Sequence, residues 1–317
     1  MKISAILCTH NPHRPFLART LAGLRAQTLP AGEWELILVD NGSEPSVPAI
    51  ADLGWHPAAR IVREDELGLT AARLRGIEEA SGGVLVFVDD DNVLVPDYLE
   101  RANRLAQRFP ELGVWGCGSF QPEWEQQPPP EFAPYLSFLA VHQVPADRRS
   151  ARPYDYAAMP AGAGMCVRVE IARRYAAAVR QDSRRKLLGR TGAQLNGCED
   201  FDLAMMAIDC GRETGVFREL RLVHLMPRSR IEEAYLLRLI EGHAYSTVLL
   251  MALRGDKPAP LPRGLLARLR EFRLRRSLDL VELRIHDARR QGESRAWKAL
   301  EILAVKRPPL PAREVTS

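Results

Sequence analysis

Val84-Leu85-Val86-Phe87-Val88-Asp89-Asp90-Asp91-Asn92 sets five apolar residues directly before three carboxylates. The apolar run is short and β-branched at every second position, which reads as a buried strand. Ionised carboxylates delivered to the end of such a strand repel one another and lose hydration, a penalty on the order of several kcal/mol unless positive charge meets them. A divalent cation would remove that penalty, and clustered oxygen donors suit Mg²⁺ or Mn²⁺. The plainer reading is that one of these residues, or Asn92, caps a helix announced by Pro96. A cap needs one short polar residue, and here there are four.

Working outward, buried-strand runs fall at 3–7, 35–39 and 60–62, with helical periodicity at 15–27, 70–80 and 96–109. Strand and helix alternating at this spacing predict an α/β fold, a doubly wound and mainly parallel sheet flanked by helices. Such sheets bind ligands at the carboxyl ends of their strands. Those ends carry Thr9-His10-Asn11, Asp40-Asn41-Gly42-Ser43 and Asp89-Asp90-Asp91-Asn92. Neither a Gly-x-Gly-x-x-Gly fingerprint nor a P-loop is present, which argues against dinucleotide and P-loop enzymes.

The proline-rich stretch 121–134 reads as an irregular loop. Trp115 and Trp124 flank it and suit either core packing or stacking on a sugar ring. A strand-like segment covers 162–168. Glu199-Asp200-Phe201-Asp202 then heads an apolar helix at 203–208. Acidic residues favour a first helical turn, but three carboxylates in four positions exceed what capping needs. A strand at 219–224 ends on His224, and helices are expected at 232–254, 264–290 and 294–305.

A chain of 317 residues accommodates one large core with an appendage. Its five cysteines are scattered without a Cys-x-x-Cys pair, which fits a reducing cytosol rather than a disulfide or zinc framework. The opening residues lack a signal-peptide pattern, and no run of about 18 apolar residues suggests a membrane span. From Lys257 onward, 15 Lys/Arg face 7 Asp/Glu (net +8), against 29 and 33 before it (net −4). This predicts a body over 1–256, with a nucleotide half at about 1–120 and an acceptor half at about 121–256, followed by a basic helical extension at 257–317. Leu265, Leu266, Leu269, Phe272 and Leu274 interleave with arginines there, compatible with an interfacial helix or with one packed on the body. Without aromatics interleaved among the basic residues, nucleic-acid binding is not expected.

Together these residues resemble the family 2 glycosyltransferases, of GT-A fold, over about residues 1–250. Ser4-Ala5-Ile6-Leu7-Cys8-Thr9-His10-Asn11 is similar to that family's first strand and loop, and Asp40 to its uracil-binding aspartate. Gly68-Leu69-Thr70-Ala71-Ala72-Arg73 resembles the stretch whose arginine contacts the nucleotide, with Leu74 where the family has asparagine. Asp89-Asp90-Asp91-Asn92 with Pro96 matches the DxD motif. The resemblance implies donor contacts from Thr9, Asn11, Asp40, Arg73, Asp89 and Asp90, and Mn²⁺ or Mg²⁺ held by Asp89 and Asp91. His224 stands where a histidine can complete the metal shell, a place that equally suits a hydrogen-bonded strand-end residue. Glu199-Asp200 matches the motif of the catalytic base, which implies Asp200 in that role with Glu199 beside it. Gly162-Ala163-Gly164 stands where the acceptor loop often reads Gly-Ala-Asn.

The expected activity is inverting, metal-dependent hexosyl transfer from a nucleotide sugar, UDP favoured, to a glycan or lipid-linked acceptor, in the cytoplasm or at the inner membrane face. Two other classes compete. A nucleotidyltransferase would carry a Gly-rich basic loop where this chain has Thr9-His10-Asn11-Pro12-His13-Arg14, and a non-catalytic nucleotide-sugar binder or scaffold would have no need of both Asp91 and Asp200.

Overall fold

The computed structural model describes residues 2–261 and 264–304. All seven residues of β1 (Ile3–Thr9) and of β2 (Trp34–Asp40) are buried, as expected of strands covered on both faces. β1 lies between β2 and β4 (Val84–Asp89), and β2 is flanked by β3 (Ala59–Arg63), all four parallel. The sheet continues antiparallel through β8 (Cys166–Arg168) to β6 (Leu112–Trp124), then parallel to β9 (Glu213–Met226). Two short strands, β5 (Asn92–Leu94) and β7 (Arg148–Ser150), pair antiparallel with β9.

Side chains alternate across the strands. Ile6, Ile37, Val39 and Phe87 face one core, under α2 (Leu69–Glu79), α4 (Val169–Gln181), α5 (Glu199–Asp209) and α6 (Glu233–Leu253). Ile3, Ala5, Leu7, Leu36, Leu38 and Val86 face the other, under α1 (Arg14–Arg25) and α3 (Tyr98–Arg108). The mixed, mainly parallel sheet between two helical layers is the expected α/β architecture.

Three local expectations need correction. The stretch 121–134 is not wholly irregular: β6 runs on to Trp124, and a 3₁₀ segment covers Pro130–Leu139. Pairing with β9 as far as Trp124, opposite Met226, satisfies the backbone around Pro122. Trp115 is fully buried core, and Trp124 packs against the small cluster of Leu139, Met226 and Leu239. The strand expected at 219–224 is the last part of β9, which starts at Glu213.

The third correction concerns the C-terminal helices. They break between α7 (Leu265–Ser277) and α8 (Leu280–Ala304), not near 290. Asp279 causes the break: its Oδ1 accepts the N–H groups of Val281 and Glu282 at 2.8 Å, while Glu282 Oε2 accepts the N–H of Asp279 at 3.0 Å. This reciprocal arrangement is a capping box. Val305, the expected end of the last helix, lies outside the described residues. α8 packs on α6, with Ala296 buried and Trp297 against the main core. α6 alone among the described helices is long and apolar enough to cross a membrane. Its Leu239, Ile240, Leu249, Leu250 and Leu253 are buried inside the fold, the pattern of a core helix.

The α6–α8 contact is tight enough to test. A Cβ at Gly292 would lie 2.1 Å from the carbonyl oxygen of Glu241, so no larger residue fits without moving a helix. Gly292→Val is expected to lower unfolding stability by about 1–3 kcal/mol, measured by urea denaturation. An unchanged midpoint would mean that α8 is not docked.

Candidate active site

Strand register assembles one wall of the site. Thr9 lies beside Asp40, and Cys8 beside both Val39 and Asp89, so three polar strand ends open at one sheet edge. Asp40 is buried and accepts from Ser43 N–H at 2.9 Å, Val47 N–H at 3.1 Å and Arg63 at 3.0 Å. Burial pushes its carboxyl up, but those hydrogen bonds outweigh it and hold the group below the usual range. Asn11 sits in the left-handed region (φ 48°), where its N–H donates to Ser43 Oγ and its Oδ1 accepts from Glu44 N–H. The Thr9 hydroxyl donates to Asp90. Asp90 is nonetheless raised to about 7, by burial first and then by the charge of Asp91.

Arg73 lies under this wall, with a side chain only 4% exposed. Its Nη1 is 3.1 Å from Glu199 Oε1, its Nη2 is 3.6 Å from Asp89 Oδ1, and its guanidinium covers the Phe87 ring at 5.4 Å. Gly162 lies against the same group, since a Cβ there would stand 2.3 Å from Nη2. The Gly162 N–H donates to Asp200 Oδ2 at 3.0 Å. Gly164 has φ 72°, a region that glycine and asparagine both enter, and its carbonyl accepts from Tyr98 Oη at 2.6 Å.

One guanidinium therefore serves several carboxylates and cannot neutralise all of them. Glu199 is raised to about 7, by burial and then by Asp200, despite its contact with Arg73. Asp200 is raised as well, chiefly by burial, against the pull of Arg73 and the Phe201 and Gly162 N–H groups. A carboxylate moved toward neutrality in a cleft suits proton abstraction near pH 7. Asp202, the third acid of this helix start, is fully buried and held by Arg185 at 2.5 Å, which leaves it a structural role.

The third cluster forms because β5 pairs with β9, setting Asn92 beside His224. His224 Nε2 is 3.7 Å from Asp91 Oδ1, and Arg230 reaches both residues: it pairs with Asp91 Oδ2 and stands 3.1 Å from His224 Nε2. The His224 Nδ1 is buried and has no hydrogen-bond partner among the described residues. Asp91 is held well below the ordinary carboxylate range: burial raises it, and Arg230 and His224 more than reverse this. Among the described residues no three His, Cys, Asp or Glu side chains converge as a ready metal cage. The donor set still fits a hard divalent ion. The Asp91 carboxylate and the His224 imidazole meet where the fold already places a cation, the Arg230 guanidinium, and donors of this kind suit such an ion.

Sequence reasoning missed Arg230, and also Arg190 and His243. Arg190 lowers the carboxyls of Asp91 and Glu199, and His243 faces Asp200 from α6, its own pKa lowered chiefly by burial. None of the three belongs to a motif or stands at the end of a periodic run.

Residues 4–158 match the family model described as glycosyl transferase family 2. The chain is 37% identical over 101 residues to the uncharacterized glycosyltransferase YwdF of Bacillus subtilis, covering 32% of this chain and 37% of that protein. It is 28% identical over 138 residues to a glucosyl-dolichyl phosphate glucuronosyltransferase of Haloferax volcanii, covering 42% of each. The matched stretch thus spans well under two thirds of these relatives. In structure the chain is similar to the mannosyltransferase PcManGT of Pyrobaculum calidifontis, solved with GDP-Man and Mn²⁺. The TM-score is 0.54 at 18% identity, over 97% of this chain and 76% of that one, a likeness of fold.

The buried Arg73–Glu199 contact gives the site its own test. Arg73→Met strands Glu199 without a counter-charge and is expected to cost about 3–5 kcal/mol of stability, read from chemical denaturation. A loss below about 1 kcal/mol, the scale of an exposed pair, would show that the contact is not maintained in solution.

Proposed function

We propose, from the match of residues 4–158 to glycosyl transferase family 2, that the chain belongs to that family and moves a sugar from a nucleoside-diphosphate sugar to an acceptor hydroxyl in glycoconjugate synthesis. The observation that carries this reading is the Arg73 guanidinium, which reaches both Asp89 at the end of β4 and Glu199 at the start of α5. It draws a donor-side carboxylate and the acidic pair into one cleft, the arrangement that a direct transfer between two substrates needs.

In this reading Asp200 takes the proton from the acceptor hydroxyl as that oxygen attacks the anomeric carbon. The Gly162 N–H fixes one carboxylate oxygen, and burial keeps the group basic enough to accept a proton at neutral pH. Attack from the face opposite the leaving diphosphate inverts the anomeric configuration. Asp89, Asp91 and His224 would hold Mn²⁺ or Mg²⁺, an ion that supplies Lewis-acid stabilisation of the diphosphate's developing charge. Arg73 fixes Glu199 and Asp89 from below, a positioning role beside the donor contact that the family resemblance implies. Thr9, Asn11 and Asp40 line the edge where a nucleobase would sit, and Asp40, kept ionised, suits the ring N–H of uracil. The relative named for a dolichyl-phosphate substrate favours a glycan or lipid-linked acceptor.

Thermal-shift titration with nucleotides and nucleotide sugars, each with Mn²⁺, Mg²⁺ or EDTA, tests donor class and metal together. Ligand at 100 times Kd stabilises by about 2.7 kcal/mol, so a metal-dependent shift with a UDP-sugar is expected. No shift with any nucleotide would favour a scaffold. Asp200→Asn should lower transfer by at least about 10²–10⁴-fold with donor binding nearly intact; an equal loss of donor affinity would remove its assignment as base. Asp91→Ala should abolish the metal-dependent part of the shift, and unaltered metal dependence would move the ion elsewhere. Because the Asp200 carboxyl is raised, the rate should fall on the acid side at a pH above the ordinary aspartate range.

A further inference from the structure

α7 stands apart from the rest of the fold. None of its residues is buried, and Leu265, Leu266, Leu269, Phe272 and Leu274 are five of the ten large apolar side chains exposed among the described residues. Leu265 and Leu266 are 81% and 72% exposed. The helix is nevertheless held in a defined orientation. Glu271 Oε1 lies 2.7 Å from His286 Nε2 of α8, and Arg275 pairs with Asp287. Glu271 and Arg275 are one turn apart, so this side of α7 faces α8.

Leu265, Leu269 and Phe272, spaced by four and three, form a stripe away from that tether, with Leu266 beside it. Arg268, Arg270, Arg273 and Arg276 surround and interrupt the stripe, all exposed, and among the described residues none has a carboxylate partner. The Arg276 guanidinium lies over the Phe272 ring at 5.5 Å. Arg275, the one α7 arginine with carboxylate partners among the described residues, is thus spent on the fold, and the remaining charge points outward together with the apolar groups.

We infer that α7 is an interfacial helix that seats this protein on an anionic lipid bilayer. A bilayer surface offers both halves of the complement: acyl chains for the leucine and phenylalanine stripe, and phosphates for the arginines beside it. A dry groove on a protein partner fits less well, because Arg273 and Arg276 fall within the apolar sector and would be buried with it. At a bilayer the long arginine stems lie along apolar surface while their heads reach the phosphates. Residues 306–317 carry Lys306, Arg307 and Arg313 against Glu314, the same sign of charge as this face. The contact involves no residue of the proposed active site, and a lipid-linked acceptor would give it a purpose.

The test is flotation of the full chain with vesicles of phosphatidylcholine alone, or of phosphatidylcholine mixed with phosphatidylglycerol. Flotation with the mixed vesicles only, weakened by salt, is expected. Arg270→Glu/Arg273→Glu should reduce the bound fraction on the order of tenfold or more, and Leu269→Ser/Phe272→Ser should do so with every charge kept. These side chains are exposed, so an unchanged far-UV spectrum will verify that each variant folds. Asp200→Asn should float like the wild type, separating this contact from the chemistry. Wild type that stays in the soluble fraction with anionic vesicles overturns the proposal and turns the face toward an acidic protein partner. Flotation that both double variants retain also overturns it, by moving the contact off α7.

Discussion

A single guanidinium buried between a strand end and a helix start holds the centre of this protein together. Arg73 meets Asp89 on one side and Glu199 on the other, 126 residues further along the chain, while Gly162 lies close enough to exclude any side chain of its own. A buried arginine without carboxylates would be intolerable, and so would the carboxylates without it. Each half therefore requires the other. The sheet end at Asp89 and the segment that opens α5 cannot separate without exposing unbalanced charge to an apolar surrounding.

The balance is deliberately incomplete. Arg73 offers one positive charge to Asp89, Glu199 and Asp200, and burial, joined at Glu199 by the charge of Asp200, still raises the carboxyls of Glu199 and Asp200. A second imbalance lies beside it, where Asp91 takes Arg230 and leaves Asp90 raised. Sites that bring phosphates, metal ions and a transferable proton together need unsatisfied charge of this kind, since a fully paired network would have nothing to offer a ligand. The fold maintains the strain through rigid neighbours: the buried strands β1 and β4, the glycines that admit close approach, and the Tyr98 hydroxyl on the Gly164 carbonyl.

The strand ends were legible because short apolar runs followed at once by polar residues carry a local signal. Thr9, Asp40 and Asp89 could be placed at one edge of a parallel sheet before any coordinates, and register bears this out. Glu199 and Asp200 stood out because three acids in one helical turn exceed what a helix start uses. Asp202 shows the limit of that argument, as it belongs to the same cluster yet serves Arg185 in the core. The long β6 was misread because prolines suggested a loop, while partners on β9 supplied the pairing. The helix break at Asp279 was available in the sequence as an Asp-x-x-Glu capping box inside the stretch expected as one helix from 264 to 290, and Gly292 lies within α8, where it serves helix packing.

The sequence by itself determined the α/β class, the sheet edge at which the candidate site lies and the carboxylates gathered there, since each rests on periodicity or on neighbours within a few residues. Only the tertiary structure decided which cations answer those carboxylates. Arg73, Arg190, Arg230 and His243 reach the site from four separate segments, and an arginine on a surface helix and one in a cleft are written alike in sequence. It also decided that α8 packs on the body while α7 keeps its leucines and arginines outside. Both helices mix leucines with arginines, and what distinguishes them is a contact, Gly292 against the backbone of Glu241, that no local pattern encodes.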